Sequence, residues 1–312
     1  MRYIISFLLA SIALPALTLP AYAEVPRVVT DIPPVHSLVS LVMGDLGQPV
    51  LLLDKGASEH DFQLRPSQAG HVADAELIIW VGPELTPWLD RAIGSLGPDA
   101  QTLALLRDKS TDTEEYGHHD HHDDHAKAHE AEAKGHDDHD NSGIDPHAWL
   151  DPENAKNWLR LIAERLAVLD PENAATYTAN ARGGVLSIAA LDDEITRLLA
   201  PAKATPLIMA HQAYGYFAGH YDLTLAGAVA IGDATAPGAG RITALQGAAT
   251  ATTCLFPEPQ HDPAQLTQLA ESSGAKLGGA LDPVGSALTP GPDAYATLMR
   301  GLAQTIADCA AR

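Results

Sequence analysis

Four polar segments of this sequence carry side chains whose types suit a metal ion. His60 lies in GASEHDF, His147 in DPHAWLDP, His211 in AHQAYGY and Asp282 in LDPVG. Three of these positions follow apolar runs that predict strands, and open parallel sheets bind ligands beyond the carboxyl ends of their strands. Imidazole and carboxylate groups arranged as a tetrahedron suit zinc. We therefore predict His60, His147, His211 and Asp282 as ligands of one ion, two from each half of the chain.

The segment around His147 predicts a short, rigid loop. Each proline removes a backbone donor and restrains the residue before it, so Asp145-Pro146 and Asp151-Pro152 exclude a position for His147 inside a helix or a strand. Asp145 and Asp151 can cap turns or the start of a helix. A histidine held in this way suits a metal ligand, and the three other segments give that interpretation its weight.

Residues 111–142, directly before that loop, form a second concentration of histidine. They contain eleven acidic residues, two lysines and eight histidines, which are His118, His119, His121, His122, His125, His129, His136 and His139. Because this composition offers nothing for a hydrophobic core, we predict a disordered, solvent-filled loop. Eight imidazoles favour loose binding of several transition-metal ions over a plain solvated charge run. Such a loop cannot preorganise one tight site.

Short apolar runs alternate with amphipathic segments on both sides of the loop, which predicts two α/β lobes with parallel sheets. Strands are expected in RVVTDI, VLLLD, LIIWVG and TLALL before the loop, and in LIMA, LAGAVAI, TCLFPE and KLGGALD after it. One long helix over 171–200 joins a first lobe at 24–170 to a second at 201–312. Gly183-Gly184 is the point where that helix would kink or break.

Residues 1–23 are expected to be a secretory signal peptide. A positively charged start is followed by an apolar run, and Ala21-Tyr22-Ala23 fits a cleavage site before Glu24. The apolar run is interrupted by prolines and lacks a stop-transfer cluster, which argues against a membrane anchor. We therefore predict an exported protein.

Charge and cysteine content restrict the partners and the compartment further. The formal net charge is −21, which disfavours nucleic acids and anionic membrane surfaces and suits metal cations. Exported proteins with an even number of cysteines usually pair them, so Cys254 and Cys309 are expected to form a disulfide that clamps the C-terminus. Two buried thiols are the alternative, and the spacing does not fit a zinc finger.

Five segments together resemble the signature segments of the metal-binding proteins of ABC importers, and most closely those of the periplasmic zinc-binding members. They occur in the family's order over essentially the whole chain after residue 23, as GASEHDFQLRPSQ, DPHAWLDP, AHQAYGYF, PEPQ at 257–260, and LDPVG. The resemblance implies two (β/α)4 lobes joined by a long rigid helix, with the ion in the cleft between them. It implies His60, His147 and His211 as ligands and a flexible histidine-rich loop before DPHAWLDP. The cysteine pair also fits the zinc members.

The fourth ligand is open among Asp282, water and Glu59, the acidic neighbour of His60. The position of His211 favours Zn²⁺, because the manganese and iron relatives that this chain resembles tend to carry a carboxylate there. Three imidazoles likewise favour a borderline-soft ion over hard manganese. A manganese- or iron-binding protein of the same transporter class is the alternative.

The resemblance implies capture of Zn²⁺ in the periplasm, as cargo and not for catalysis. Delivery would be to the membrane permease subunit of an ABC importer that works with a cytoplasmic ATPase. The protein is expected to act as a monomer, with a periplasmic zinc chaperone as a further partner. A zinc hydrolase with Glu59 as base is the competing enzyme class, but no HExxH segment accompanies it. A plain metal buffer would leave the four segments without a role.

The remaining histidines outside the loop lie outside these segments. We predict surface or capping positions for His36, His71, His220 and His261. Phe62 and Trp149 are expected to pack around the site without binding the ion.

Overall fold

The computed structural model describes residues 25–116, 143–230 and 239–312 and confirms two α/β lobes with parallel sheets. The predicted signal peptide and the eight loop histidines lie outside the described residues. None of the described helices combines the length and the apolar character that crossing a membrane requires.

Each lobe contains one four-stranded sheet. The strands of the first are β1 (Val28–Thr30), β2 (Val50–Leu51), β3 (Leu77–Trp80) and β4 (Gln101–Ala104), and those of the second are β5 (Leu207–His211), β6 (Leu225–Ala230), β7 (Cys254–Phe256) and β8 (Lys276–Leu277). Their orders, β2-β1-β3-β4 and β6-β5-β7-β8, are the same arrangement repeated, and all neighbouring strands are parallel. Strands β3 and β7 are buried along their whole length, which explains their continuous apolar sequence.

Helices connect the strands and cover the sheets. They are α1 (Pro33–Met43), α2 (Pro66–Ala73), α3 (Pro87–Leu96), α4 (Pro152–Leu169), α5 (Ala174–Leu199), α6 (Gly215–Tyr221), α7 (Ala239–Ala248), α8 (Ala264–Ser273) and α9 (Ala294–Ala310). The first four begin at a proline, because the first turn of a helix has no partner for a backbone N–H and loses nothing when proline lacks one.

The predicted long helix is α5, preceded by a single 3-10 turn at Pro171–Asn173. Helix α5 continues through Gly183-Gly184, so the chain does not break into two helices at these glycines. Gly184 faces α4, and a Cβ at this position would lie 2.9 Å from Cδ1 of Leu159. The glycine therefore allows α4 and α5 to approach closely, which compensates for its low helix propensity.

Strand β8 is shorter than the predicted run KLGGALD. It ends at Leu277, and the chain leaves the sheet after Gly278. A side chain on Gly278 would overlap the ring of Phe256, so glycine is required where the backbone passes this ring. The two glycines offer no side chains to pack on the sheet, which is why the apolar pattern overestimates the strand.

The lobes share one hydrophobic core. Helix α5 packs against α1 and α4 of the first lobe and against α9 of the second. Trp149 is fully buried where they meet, and its indole Nε1 donates to the carbonyl of Pro283 at 2.8 Å. The hydroxyl of Tyr295 in α9 donates to the carbonyl of Trp149 at 3.0 Å. The relative orientation of the lobes is thus fixed by packing and by hydrogen bonds.

The expected disulfide is present. Cys254 at the start of β7 is bonded to Cys309 near the end of α9, with their Cα atoms 6.1 Å apart. It fastens the C-terminal helix to the second sheet.

His220 in α6 bridges two acidic side chains of other helices. Its Nδ1 lies 3.0 Å from Oδ1 of Asp151, the N-cap of α4, and its Nε2 lies 2.9 Å from Oδ1 of Asp192 in α5. Burial opposes its charge, but the hydrogen bonds to the two carboxylates and their negative charges outweigh burial and raise the pKa of His220 to about 8. The charged imidazole ties the second lobe to the linking helix and to the first lobe.

We expect the His220→Gln variant to be less stable than the parent protein in a pH-dependent manner. The pKa of His220 is about 8 in the folded state and about 6.5 in the unfolded chain, so its contribution is complete below the lower value and is lost as the pH rises through the upper one. The pH-dependent part is at most about 2 kcal/mol, less after solvent screening. Urea unfolding at pH 6 and pH 9 measures the difference, and the exposed His71→Gln variant is the control. A gap between parent and variant that grows towards pH 9 would contradict this assignment.

Candidate metal centre

Three of the four predicted ligands come together between the lobes. His60 lies in the loop after β2, His147 lies in the turn before α4, and His211 is the last residue of β5. One ligand atom from each lies within 4.8 Å of the other two. The Nε2 atoms of His147 and His211 are 3.5 Å apart. Two nitrogens bound to one tetrahedral zinc at ~2.0–2.1 Å would be roughly 3.3 Å apart, so this spacing fits a shared ion.

Asp145 orients His147. Its Oδ1 lies 2.6 Å from Nδ1 of His147 and also accepts the backbone N–H of His147 at 3.0 Å. A carboxylate only accepts, so Nδ1 carries the proton and Nε2 presents a lone pair. Burial, reinforced by the nearby His211, holds the pKa of His147 well below its usual range, which keeps the imidazole neutral and able to bind a cation.

Glu258 orients His211 in the same way. Its Oε2 lies 2.6 Å from Nδ1 of His211, and both side chains are almost completely buried. Glu258 follows β7 and His211 ends β5, and these strands are neighbours in the second sheet. The sheet therefore positions both the ligand and the carboxylate behind it. Carboxylate–histidine pairs of this kind fix the tautomer of metal ligands and raise their basicity.

His60 enters the site from the first lobe beside Glu59. Nε2 of His60 lies 3.6 Å from Oε1 of Glu59. Burial, and then the neighbouring imidazoles of His147 and His211, hold the pKa of His60 well below its usual range. Burial, with the charges of Glu258 and Asp282, raises the pKa of Glu59 to about 8. The indole Nε1 of Trp88 donates to the Glu59 carbonyl at 2.7 Å and fixes this loop.

Asp282, the fourth predicted ligand, makes other contacts. Its Oδ1 accepts from the backbone N–H groups of Val284 and Gly285 at 3.2 and 3.0 Å, and from Nε2 of Gln260 at 3.2 Å. Its Oδ2 accepts from the hydroxyl of Ser286 at 2.8 Å. Asp282 stabilises the turn after β8 and does not join the three histidines in this structure. As a ligand of the ion, Asp282 stays a prediction.

Three residues at the site had no predicted role there. The sequence predicts a turn-capping role for Asp145, and Glu258 stands out only as part of the segment PEPQ. His261, predicted to be a surface or capping residue, instead lies against the site, with its ring centroid 5.4 Å from that of His211. Its position directly after PEPQ was the available signal. The partnership of Glu258 with His211 depends on two strands being neighbours, which residue spacing does not reveal.

Two other histidines, His36 and His71, lie in helices of the first lobe. His36 is buried in α1, contrary to the predicted surface position, and its Nε2 lies 3.2 Å from the carbonyl of Pro49. His71 is exposed in the last turn of α2. The ring of Trp149 lies 5.2 Å from that of His147, and Phe62 packs on Trp88. These contacts agree with the packing role predicted for Trp149 and Phe62.

The family model and two curated relatives that match this chain carry names of zinc-uptake proteins. Residues 28–309 match the model of the family "Zinc-uptake complex component A periplasmic". The high-affinity zinc uptake system protein ZnuA of Paracoccus denitrificans is 49% identical over 318 residues, which cover 97% of this chain and 98% of that protein. The protein of the same name from Brucella abortus is 36% identical over 304 residues, covering 90% of this chain and 91% of that one.

Solved structures share the fold. A crystal structure of ZnuA matches with a TM-score of 0.72 and 23% identity, covering 91% of this chain and 99% of the other. The Pseudomonas aeruginosa protein FpvC in complex with Mn²⁺ matches with a TM-score of 0.75 and 19% identity, covering 92% and 99%. The match to the family model spans most of the sequence and the curated relatives align along nearly their whole length, so this chain belongs to the family of the periplasmic zinc-uptake complex component A.

Proposed function

We propose that this protein captures Zn²⁺ in the periplasm and delivers it to the membrane permease subunit of an ABC-type zinc importer. The observation that carries the proposal is the convergence of three imidazoles, two of them held by buried carboxylates, between two lobes. Neutral, oriented imidazoles on a preformed framework bind a borderline-soft divalent ion tightly, because little ordering entropy opposes binding.

The residues of the site have different roles in this proposal. His60, His147 and His211 bind the ion through ring nitrogens, and Asp145 and Glu258 hold the rings of the latter two. Asp282, a water molecule or Glu59 supplies the fourth donor. Glu59 lies next to His60, whereas Asp282 has both oxygens hydrogen-bonded in a turn. Glu59 has to lose its proton before it can bind the ion.

The donor set, and not the fold, supports zinc over manganese. A structural neighbour of the same fold is described with Mn²⁺, so the fold accommodates different ions. Three imidazoles favour zinc over hard manganese, and curated relatives carry the name of zinc uptake proteins. The ion is cargo in this role, and no enzymatic turnover is proposed.

The remaining assignments belong to the same proposal. They are cleavage of residues 1–23, lobes at 24–170 and 201–312 with a linking helix at 171–200, and an auxiliary set of loose zinc sites on the histidines of the 111–142 segment. A cytoplasmic ATPase energises the permease, and a periplasmic zinc chaperone is a further partner of the monomeric protein.

Calorimetric titration of residues 24–312, with and without residues 116–139, tests the proposal. Both proteins are expected to bind one equivalent of Zn²⁺ tightly, because the three ligands lie outside the deleted segment. Weak additional equivalents should disappear with the deletion. Mn²⁺ should compete poorly for the tight equivalent. Loss of the tight equivalent on deletion, or preference for Mn²⁺, would contradict the assignment.

A further inference from the structure

A second group of metal-binding side chains adjoins the first. Ligand atoms of His211, Glu258 and His261 lie within 4.8 Å of one another. Oε2 of Glu258 is 2.6 Å from Nδ1 of His211 and 3.5 Å from Nε2 of His261. The donor types, two imidazoles and a carboxylate, are those that zinc accepts.

The two groups share His211 but do not merge into one. We call His60, His147 and His211 the inner position, and His211, Glu258 and His261 the outer position. Neither Glu258 nor His261 belongs to the set of mutually close donor atoms that includes His60 and His147. An ion that keeps a bond to His211 can therefore have the other two histidines on one side or Glu258 and His261 on the other.

His261 is the most exposed of these side chains and gives the outer position its access to solvent. It is 33% exposed and His60 of the inner position is 20% exposed, whereas Glu258, His147 and His211 are almost completely buried. His60, His211, Glu258 and His261 all line one cavity of about 10 Å³, which is roughly the space of one water-sized particle. The cavity therefore brings the outer position into contact with His60 and His211 of the inner position, while His147 does not line it.

We infer that Glu258 and His261 form an outer, transient Zn²⁺ position that exchanges the ion with the inner position through the shared ligand His211. The inference rests on the proposed function, because it concerns how the same ion enters and leaves. As the ion moves outward, its bonds to the nitrogens of His60 and His147 are replaced by bonds to His261 and to Oε1 of Glu258. Oε2 of Glu258 keeps the hydrogen bond from Nδ1–H of His211, so the shared ligand keeps its proton, and no electrons are transferred.

The outer position should change the rates at which Zn²⁺ binds to and leaves the inner position more than it changes the affinity of that position. Removing zinc from three imidazoles one bond at a time leaves an under-coordinated ion, which makes dissociation slow. A donor that binds before another leaves avoids that intermediate, and zinc tolerates a fifth ligand in passing. By microscopic reversibility, the same route speeds both loading and release, and the equilibrium constant changes little.

The test compares the full protein with its His261→Gln variant. Protein loaded with one equivalent of Zn²⁺ is mixed rapidly with an excess of a chromogenic zinc chelator, and the transfer rate is recorded. Equilibrium affinity is measured separately by competition with the same chelator. We expect the variant to transfer zinc on the order of tenfold more slowly, with an affinity within about threefold of the parent. His71→Gln removes an exposed histidine of α2 and should change neither quantity.

Each other outcome overturns the inference. Faster release together with weaker binding would make His261 a permanent ligand of the inner ion. Unchanged transfer and unchanged affinity would leave it without a part in zinc exchange. Failure of the proposed function would look different, because the parent protein itself would then not bind one equivalent of Zn²⁺ tightly. The loop histidines are the same in all three proteins, so any zinc they capture cancels in the comparison.

Discussion

Replacing His211 by alanine is expected to abolish tight zinc binding. Structural zinc sites with four ligands bind with ~10–16 kcal/mol, so losing one ligand removes roughly 3 kcal/mol, or at least about a hundredfold in affinity. The substitution also leaves the buried carboxylate of Glu258 without the imidazole 2.6 Å from it, which should lower the stability of the folded protein with and without zinc. Competition titration of the purified protein with a zinc chelator measures the effect.

Two further variants show whether the loss is specific. His71→Ala removes an exposed histidine from α2 and should bind zinc as the parent does. Asp145→Asn keeps all three ligands but weakens the hold on His147, and should cost about 10–100-fold in affinity. The order of affinities should be parent, Asp145→Asn, then His211→Ala. If His211→Ala kept tight binding, the proposed set of ligands would be wrong.

Loss of the Cys254–Cys309 disulfide is expected to destabilise the zinc-free protein by about 4 kcal/mol on the chain-entropy model. The bond spans 55 positions and closes a large loop that includes α8, β8 and α9. Breaking it frees the unfolded chain, while both cysteines are buried in the folded state. Urea unfolding of the protein with and without a reducing agent should show the midpoint falling on reduction.

A double variant supplies the control for that experiment. Cys254→Ala with Cys309→Ala should unfold near the midpoint of the reduced parent and should not respond to the reductant. An oxidised parent whose midpoint does not change on reduction would show that the bond adds no stability. Labelling the denatured, non-reduced protein with a thiol reagent should find no free thiol.

Much of the fold follows from sequence patterns, because buried parallel strands need continuous apolar runs. LIIW and CLF are buried along their whole length and were predicted as strands for that reason. The pattern is less informative where glycine intervenes. KLGGALD continues the apolar run while its glycines leave the sheet, and Gly183-Gly184 suggests a kink where Gly184 only makes room for Leu159.

The local sequence indicates the three histidine ligands of the site but not the residues that hold them. His60, His147 and His211 lie in polar segments next to strand ends or between prolines, and such positions are visible in the sequence. The partners of these histidines are less visible. Glu258 is 47 positions from His211 and reaches it only because β5 and β7 are neighbours, and Asp282 caps a turn whose hydrogen bonds no residue pattern displays.

If the protein delivers its ion to a permease as proposed, the shared core of the two lobes affects how the permease can distinguish a loaded protein from an empty one. Helix α5 packs on helices of both lobes, which opposes a large movement of one lobe against the other. The donor atoms of the three histidines already lie within 4.8 Å of one another, so little ordering entropy opposes binding. A permease would then recognise the bound ion from local changes in charge and side-chain position around the Glu59-His60 loop and the Glu258–His261 segment.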